Sequence, residues 1–267
     1  MSLFNCHFFS KVLQTPTELT VCLPSPPDYI CKETPIDQLY APVQDRLPVL
    51  TLLHGLSGDC TSWLRQSSVE RYAAEAGVAL VMPSAQNSFY SDLSPAGPYF
   101  TYIAEEVPRF CRAAFGLSTR REQNFIAGLS MGGYGAAKLA LTLPERYAAF
   151  ASLSGALDAV DLASQWRGDP AFAQFETAFG GSDAVAGSEH DLYALAQGLA
   201  ESDAPLPAAY LCCGTEDFLY PYTPAFADFL GALGFAVTEE EGPGAHDWAF
   251  WDEFIQRVLA WLPLSGL

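Results

Sequence analysis

In the stretch GLSMGGYG, residues 128–135, one serine stands in a G-x-S-x-G spacing directly after the apolar run NFIA and directly before GGYGAAKLAL. A serine hydroxyl attacks a carbonyl only when a neighbouring base takes its proton and a third group orients that base. The chemistry on offer is therefore acyl transfer through Ser130, provided a histidine and an acid can reach it. Short patterns of this kind recur by chance, so the spacing alone is weak. Its setting is more specific. Strand, sharp turn and helix make a nucleophile elbow, which holds the serine in a strained conformation and needs Gly128 and Gly132 without a Cβ so that strand and helix can approach. The competing reading is a serine N-cap beside a glycine-rich turn.

The sequence has four histidines. His7 lies in the first strand region, His54 ends a strand in LLHGL and reads as structural, and His190 falls in a polar, alanine-rich stretch. His246, in the glycine-rich loop EGPGAHDW before the last helical segment, is the expected base, with His190 the runner-up, because enzymes built on such an elbow run serine, acid, histidine along the chain. The acid belongs in a loop after a strand between the two, and AAYLCCGTEDFLY supplies Asp217, preferred, with Glu216 as its competitor. Asp203 and Asp228 read as surface residues.

An oxyanion forming beside Ser130 needs two backbone donors. Position at a helix start makes the Met131 N–H one of them. The loop HGLSGDCTSW offers the N–H of Leu56 as the other. Its GLS, Gly55 to Ser57, echoes the elbow, but Gly58 comes one residue too early, so Ser57 is not the nucleophile. Gly55, Trp63, Phe218 and Trp248 are expected at the substrate, and Phe89, Tyr90 and Tyr220 lie on or beside loops that would ring the same site. So many large side chains favour small acyl groups, acetyl to butyryl.

These residues need a frame. PVLTLLHG, VALVMPS, NFIAGLS, YAAFASLSG and AAYLCCGTED are short, near-continuous apolar runs, the pattern of strands buried on both faces of a parallel sheet. Between them SSVERYAAEAG, YIAEEVPRFCRAAFG, GGYGAAKLALTLPERY, TPAFADFLGALG and DWAFWDEFIQRVLAWL have helical spacing. The alternation predicts an α/β fold with a mostly parallel central sheet, helices on both faces and functional loops at the carboxyl ends of the strands. Two β-rich pieces open the chain. The proline-rich PSPPDYICKETPIDQLYAPVQDRL that follows should be loop or edge, without helix. Residues 156–205 read as a helical insertion over the site, and residues 1–267 as one domain.

Half of the 267 residues are hydrophobic and 16% are charged, enough for a large core. The 31 acidic and 13 basic residues leave a formal charge of −18, which disfavours nucleic acid and anionic membranes as partners. The seven cysteines, at 6, 22, 31, 60, 111, 212 and 213, show no CxxC pair or zinc spacing and read as reduced thiols, with no metal implied. The N-terminus MSLFNCHFFSKVLQ lacks the features of an export signal, so a cytoplasmic protein is expected. A homo-oligomer is allowed but not readable.

LLHGLSGDCTSWL, VMPSAQNSFYSD, FIAGLSMGGYGAAKLAL, CGTEDFLY and GAHDWAFWDEFI together resemble the esterase D-like family of α/β-hydrolases, in the right order from about residue 48 to the C-terminus. That family includes tributyrin esterases, S-formylglutathione hydrolases, feruloyl esterases and antigen 85 acyltransferases, and the bacterial tributyrin esterases are the branch this sequence is most similar to. The resemblance implies a serine esterase without metal or organic cofactor, acting on a small acyl ester, with S-formylglutathione thioester hydrolysis and acetylated or feruloylated sugar esters as alternatives, and a non-catalytic hydrolase-fold binding module as the reading from a different class. It also implies that Ser130 attacks, His246 is base and then acid, Asp217 orients it, and Leu56 and Met131 donate to the oxyanion.

Overall fold

The computed structural model describes residues 1–26, 28–39 and 47–264. Eight strands form one sheet: β1 (Ser2–Ser10), β2 (Thr15–Leu23), β3 (Val49–Leu53), β4 (Ala79–Pro83), β5 (Asn124–Leu129), β6 (Ala149–Leu153), β7 (Ala208–Gly214) and β8 (Val237–Gly242). Their order is β1-β2-β4-β3-β5-β6-β7-β8. β1 and β2 form an antiparallel hairpin whose second strand runs antiparallel to β4, while β4, β3, β5, β6, β7 and β8 are parallel to one another. The expectation of a mostly parallel sheet holds, and the antiparallel edge is the opening hairpin.

β3, β4 and β6 are buried along their whole length, as continuous apolar runs require. Alternate residues of a strand face opposite sides. Ile126 and Phe150 accordingly join a core on one face of the sheet, and Phe125, Ala149 and Ala151 join a core on the other.

In chain order the helices are α1 (Asp28–Glu33), α2 (Ile36–Leu39), α3 (Ser62–Gln66), α4 (Val69–Ala76), α5 (Tyr99–Thr101), α6 (Val107–Phe115), α7 (Met131–Thr142), α8 (Ala159–Gln165), α9 (Ala173–Ala178), α10 (Leu192–Ala200), α11 (Tyr222–Ala232) and α12 (Trp248–Trp261). α1 and α2 correct the expectation of no helix in the proline-rich segment; residues 40–46 of that segment lie outside the described residues. Proline opposes a helix only from its interior. Pro35 stands just before α2, and its carbonyl accepts from the N–H groups of Gln38 and Leu39.

A π-helical turn at Tyr102–Glu106 joins α5 to α6. Pro108 has no N–H for the carbonyl of Ala104, four residues earlier, and would clash with it in a regular helix, so the backbone widens there. The Arg146 guanidinium donates to the Ala104 carbonyl instead. Residues 156–205 contain α8, α9 and α10 together with two short 3₁₀ turns. No helix among the described residues is long and apolar enough to cross a membrane.

Candidate active site

Ser130 ends β5 and starts α7 with φ +54° and ψ −119°. For a non-glycine residue such a conformation costs about 1–3 kcal/mol and persists only where the surroundings enforce it. Here the Ser130 N–H donates to the Leu153 carbonyl at 2.9 Å. The flanking glycines are steric requirements: a Cβ on Gly128 would lie 2.4 Å from the Gly132 carbonyl oxygen, and one on Gly132 would lie 2.6 Å from the carbonyl oxygen of Leu53.

His246 lies in the loop between β8 and α12. Its Nε2 is 2.9 Å from Ser130 Oγ and its Nδ1 is 2.8 Å from Asp217 Oδ2. An ionised carboxylate only accepts, so the imidazole donates from Nδ1 and leaves Nε2 free to accept from the serine hydroxyl. Asp217, after β7, has a fully buried side chain, and its Oδ1 accepts from the Leu219 N–H at 2.9 Å. Burial pushes its pKa upward, but hydrogen bonds from His246, from the Leu219 N–H and from Ser154 outweigh that and hold the carboxyl below its ordinary range.

Glu216, the competing acid, is exposed and does different work. Its Oε2 accepts from the Gly244 N–H at 2.5 Å while its own N–H donates to the Gly244 carbonyl at 3.0 Å. It thus ties the loop that carries His246 to the loop that carries Asp217. The two loops touch so closely that a Cβ on Gly214 would lie 2.1 Å from the Gly244 carbonyl oxygen.

The other histidines are occupied elsewhere. His7 pairs with Glu18 at 3.4 Å. His190 is buried, and its Nδ1 accepts from Lys138 Nζ at 3.0 Å. Burial, then the neighbouring Lys138, lower the His190 pKa to about 4; burial lowers that of Lys138 to about 8. Asp203 and Asp228 are exposed.

His54 shapes the loop after β3. Its Nδ1 donates to the Gly55 carbonyl at 2.7 Å, and its Nε2 accepts from the Ala85 N–H at 2.9 Å. The Gly58 N–H also donates to the Gly55 carbonyl, at 3.2 Å. A trans peptide directs C=O and N–H in opposite senses, so fixing the Gly55 carbonyl also fixes the Leu56 N–H. Among the described residues neither the Leu56 N–H nor the Met131 N–H has a hydrogen-bond partner, and both residues line the same pocket as Ser130 and His246.

That pocket has a volume of ≈ 360 Å³. Of the residues expected at or around the substrate, Gly55, Phe89, Phe218 and Trp248 line this pocket. Trp63 does not. It is buried beneath the site, donating from Nε1 to the Leu53 carbonyl at 3.0 Å and meeting Trp248 edge-on at 5.2 Å. A large apolar ring on the first helix after β3 packs inward, because the core offers it more contact than the pocket rim. Tyr90 is likewise buried, its hydroxyl donating to the His54 carbonyl at 2.8 Å. The Tyr220 hydroxyl pairs with Glu241.

Other residues of the lining carried no site signal in the sequence pattern apart from the aromatic pair in QWRGDPAF. Trp166 and Phe172, stacked 4.0 Å apart, line the pocket from residues 156–205, and Trp251 and Arg65 complete it. Among the described residues no group of three or more His, Cys, Asp or Glu side chains could hold a metal ion.

A mostly parallel sheet with helices on both faces and a strained serine at the tip of a central strand defines the α/β-hydrolase fold. Residues 10–262 match the family described as "Putative esterase". An acetyl esterase of Caldicellulosiruptor saccharolyticus is 32% identical, over 98% of both chains. A substrate-bound structure of FphF, a fluorophosphonate-binding serine hydrolase of Staphylococcus aureus, is 35% identical and superposes with a TM-score of 0.85 over 98% of both chains. S-formylglutathione hydrolase (FrmB) of the same organism gives 35% and 0.82, again over 98% of both. The chain belongs to this esterase family and is an ester-hydrolysing enzyme.

Proposed function

We propose that the protein is a serine carboxylesterase that cleaves short-chain acyl esters, acetyl to butyryl, through an acyl-enzyme. The observation that carries this reading is the unbroken hydrogen-bonded chain from Ser130 through His246 to Asp217. In the proposed reaction Ser130 Oγ attacks the ester carbonyl as His246 Nε2 takes its proton, and the imidazolium that forms is stabilised by Asp217. The tetrahedral oxyanion accepts from the Leu56 and Met131 N–H groups, each worth about 3–4 kcal/mol of transition-state stabilisation. His246 then protonates the departing alcohol, and a water activated by the same imidazole releases the acid.

The preference for short acyl groups rests on the pocket, whose ≈ 360 Å³ is walled by Phe89, Trp166, Phe172, Phe218 and Trp248. It sits near the small end of ligand sites. Similarity to an acetyl esterase supports the same choice. The test is hydrolysis of p-nitrophenyl acetate, butyrate, octanoate and laurate by wild type and Ser130→Ala. Activity confined to short esters and abolished in the variant is expected; rates that climb out to laurate would reject the chain-length assignment.

A thioesterase reading, on S-formylglutathione, is supported by similarity to the Staphylococcus aureus S-formylglutathione hydrolase and to the one from Paracoccus denitrificans, 28% identical over 81% of this chain and 82% of that one. Comparing kcat/KM for S-formylglutathione and for a butyryl ester separates the two. Acetylated or feruloylated sugars form a third class to include in the same comparison.

A further inference from the structure

At the far end of the sheet, where β5 and β6 begin, a second cleft of ≈ 240 Å³ is lined by Glu105, Arg109, Arg112, Arg146, Asn124 and Tyr147, among others. A six-residue strand such as β5 is roughly 20 Å long, so this cleft stands about that far from Ser130. Three guanidinium groups against one carboxylate make it basic on a chain whose formal charge is −18.

The arginines differ in what they already hold. Arg109 meets Glu105 at 2.5 Å, and Arg146 pairs with the other oxygen of the same carboxylate. The π-helical turn that Pro108 forces sets Glu105 in this position, and Arg146 is fixed further by the Ala104 carbonyl. Arg112 has no ion pair or side-chain hydrogen bond among the described residues. Tyr147 lines the same cleft with its ring buried, and its hydroxyl, which is not enclosed by protein, has no hydrogen-bond partner among the described residues.

The cleft adjoins a small, mainly apolar cavity of ≈ 30 Å³ walled by Val49, Val81, Val107, Cys111 and Leu117 with Thr51 and Ser118, and Pro108, Asn124 and Tyr147 are shared between the two. One free guanidinium, one free neutral donor and an apolar recess suit a single anionic head with a short alkyl end. A dianionic phosphate would meet the Glu105 charge without a second free arginine to balance it. We propose that this cleft is a second binding site, taking a small monocarboxylate whose head is held by Arg112 and the Tyr147 hydroxyl and whose alkyl end enters the apolar recess.

Isothermal titration calorimetry of the full chain with sodium propionate, at ionic strength held constant with chloride, tests this. Saturable binding is expected in wild type, weakened about tenfold or more in Arg112→Gln and several-fold in Tyr147→Phe, which removes only the hydroxyl. Propionamide, the neutral analogue, should not bind. Absence of saturable binding to wild type overturns the proposal. So does undiminished affinity in Arg112→Gln, which would put the acid in the pocket beside Ser130. Inorganic phosphate binding as tightly as propionate would reduce the cleft to an unselective anion site and overturn the ligand class.

Discussion

At Ser130 two requirements meet: a positive φ of +54° that carries the hydroxyl out of the elbow, and a histidine nitrogen 2.9 Å from it. On the proposed mechanism, Ser130→Ala should lower kcat by about 10⁴-fold or more while leaving the fold intact, as circular dichroism and thermal melting would show. Asp217→Asn should cost about 10³–10⁴-fold in kcat, because an amide in that place no longer selects the imidazole tautomer that leaves Nε2 free. Either loss falling below tenfold would point to other groups as the machinery. The two glycines make a prediction about stability. A Cβ at Gly128 would meet backbone at 2.4 Å, with no flexible side chain to yield. Gly128→Ala should therefore destabilise by about 3 kcal/mol or more, a fall in Tm of roughly 6–10 °C. A melt unchanged within a degree would show that the strand and helix can separate at no cost.

At the scale of elements, the loops after β7 and β8 act as one unit through Glu216. Glu216→Ala removes the acceptor of the Gly244 N–H without touching Ser130, His246 or Asp217. Because misplacing a catalytic group by a fraction of an ångström is costly, kcat should fall roughly tenfold with KM nearly constant. A change in KM alone would contradict the positioning role. Residues 156–205 are fastened to α7 by the buried Lys138–His190 pair and by the Tyr134 hydroxyl, which donates to the His190 carbonyl at 3.0 Å. With the His190 pKa lowered from 6.5 to about 4, the unfolded chain binds a proton between those values that the folded chain refuses. Stability is therefore lost as pH falls from 6.5 toward 4. Melting curves across that range should show a steeper decline for wild type than for His190→Gln; parallel declines would remove His190 from the account.

At the scale of the whole molecule, what could be read from the sequence is what backbone physics dictates locally. Continuous apolar runs revealed β3 to β7, whereas the acidic, half-exposed β8 shows no such run, and the need for two glycines and one serine at a strand-to-helix turn located the elbow. Chain order then picked His246 and Asp217, which the fold brings into one hydrogen-bonded chain. Features settled by packing between distant segments were not legible. Trp63 and Tyr90 look like pocket aromatics on paper but are drawn under the site, and Trp166 and Phe172 reach the pocket from residues that gave only a helical pattern. The part taken by Glu216 depends on the approach of Gly244, a contact made across two strand ends. The π-helical turn was hidden because its cause, the missing N–H of Pro108, is resolved by Arg146 from another element.

Whether Ser130 is the nucleophile activated by His246 can be tested by covalent labelling without any choice of ester. Folded wild type, Ser130→Ala and His246→Ala would each be treated with a fluorophosphonate and examined by intact-mass and peptide mass spectrometry. A single adduct on Ser130 is expected in wild type, none in Ser130→Ala, and labelling slowed by orders of magnitude in His246→Ala. An unlabelled, folded wild type, or an adduct that persists in Ser130→Ala, would contradict that role for Ser130.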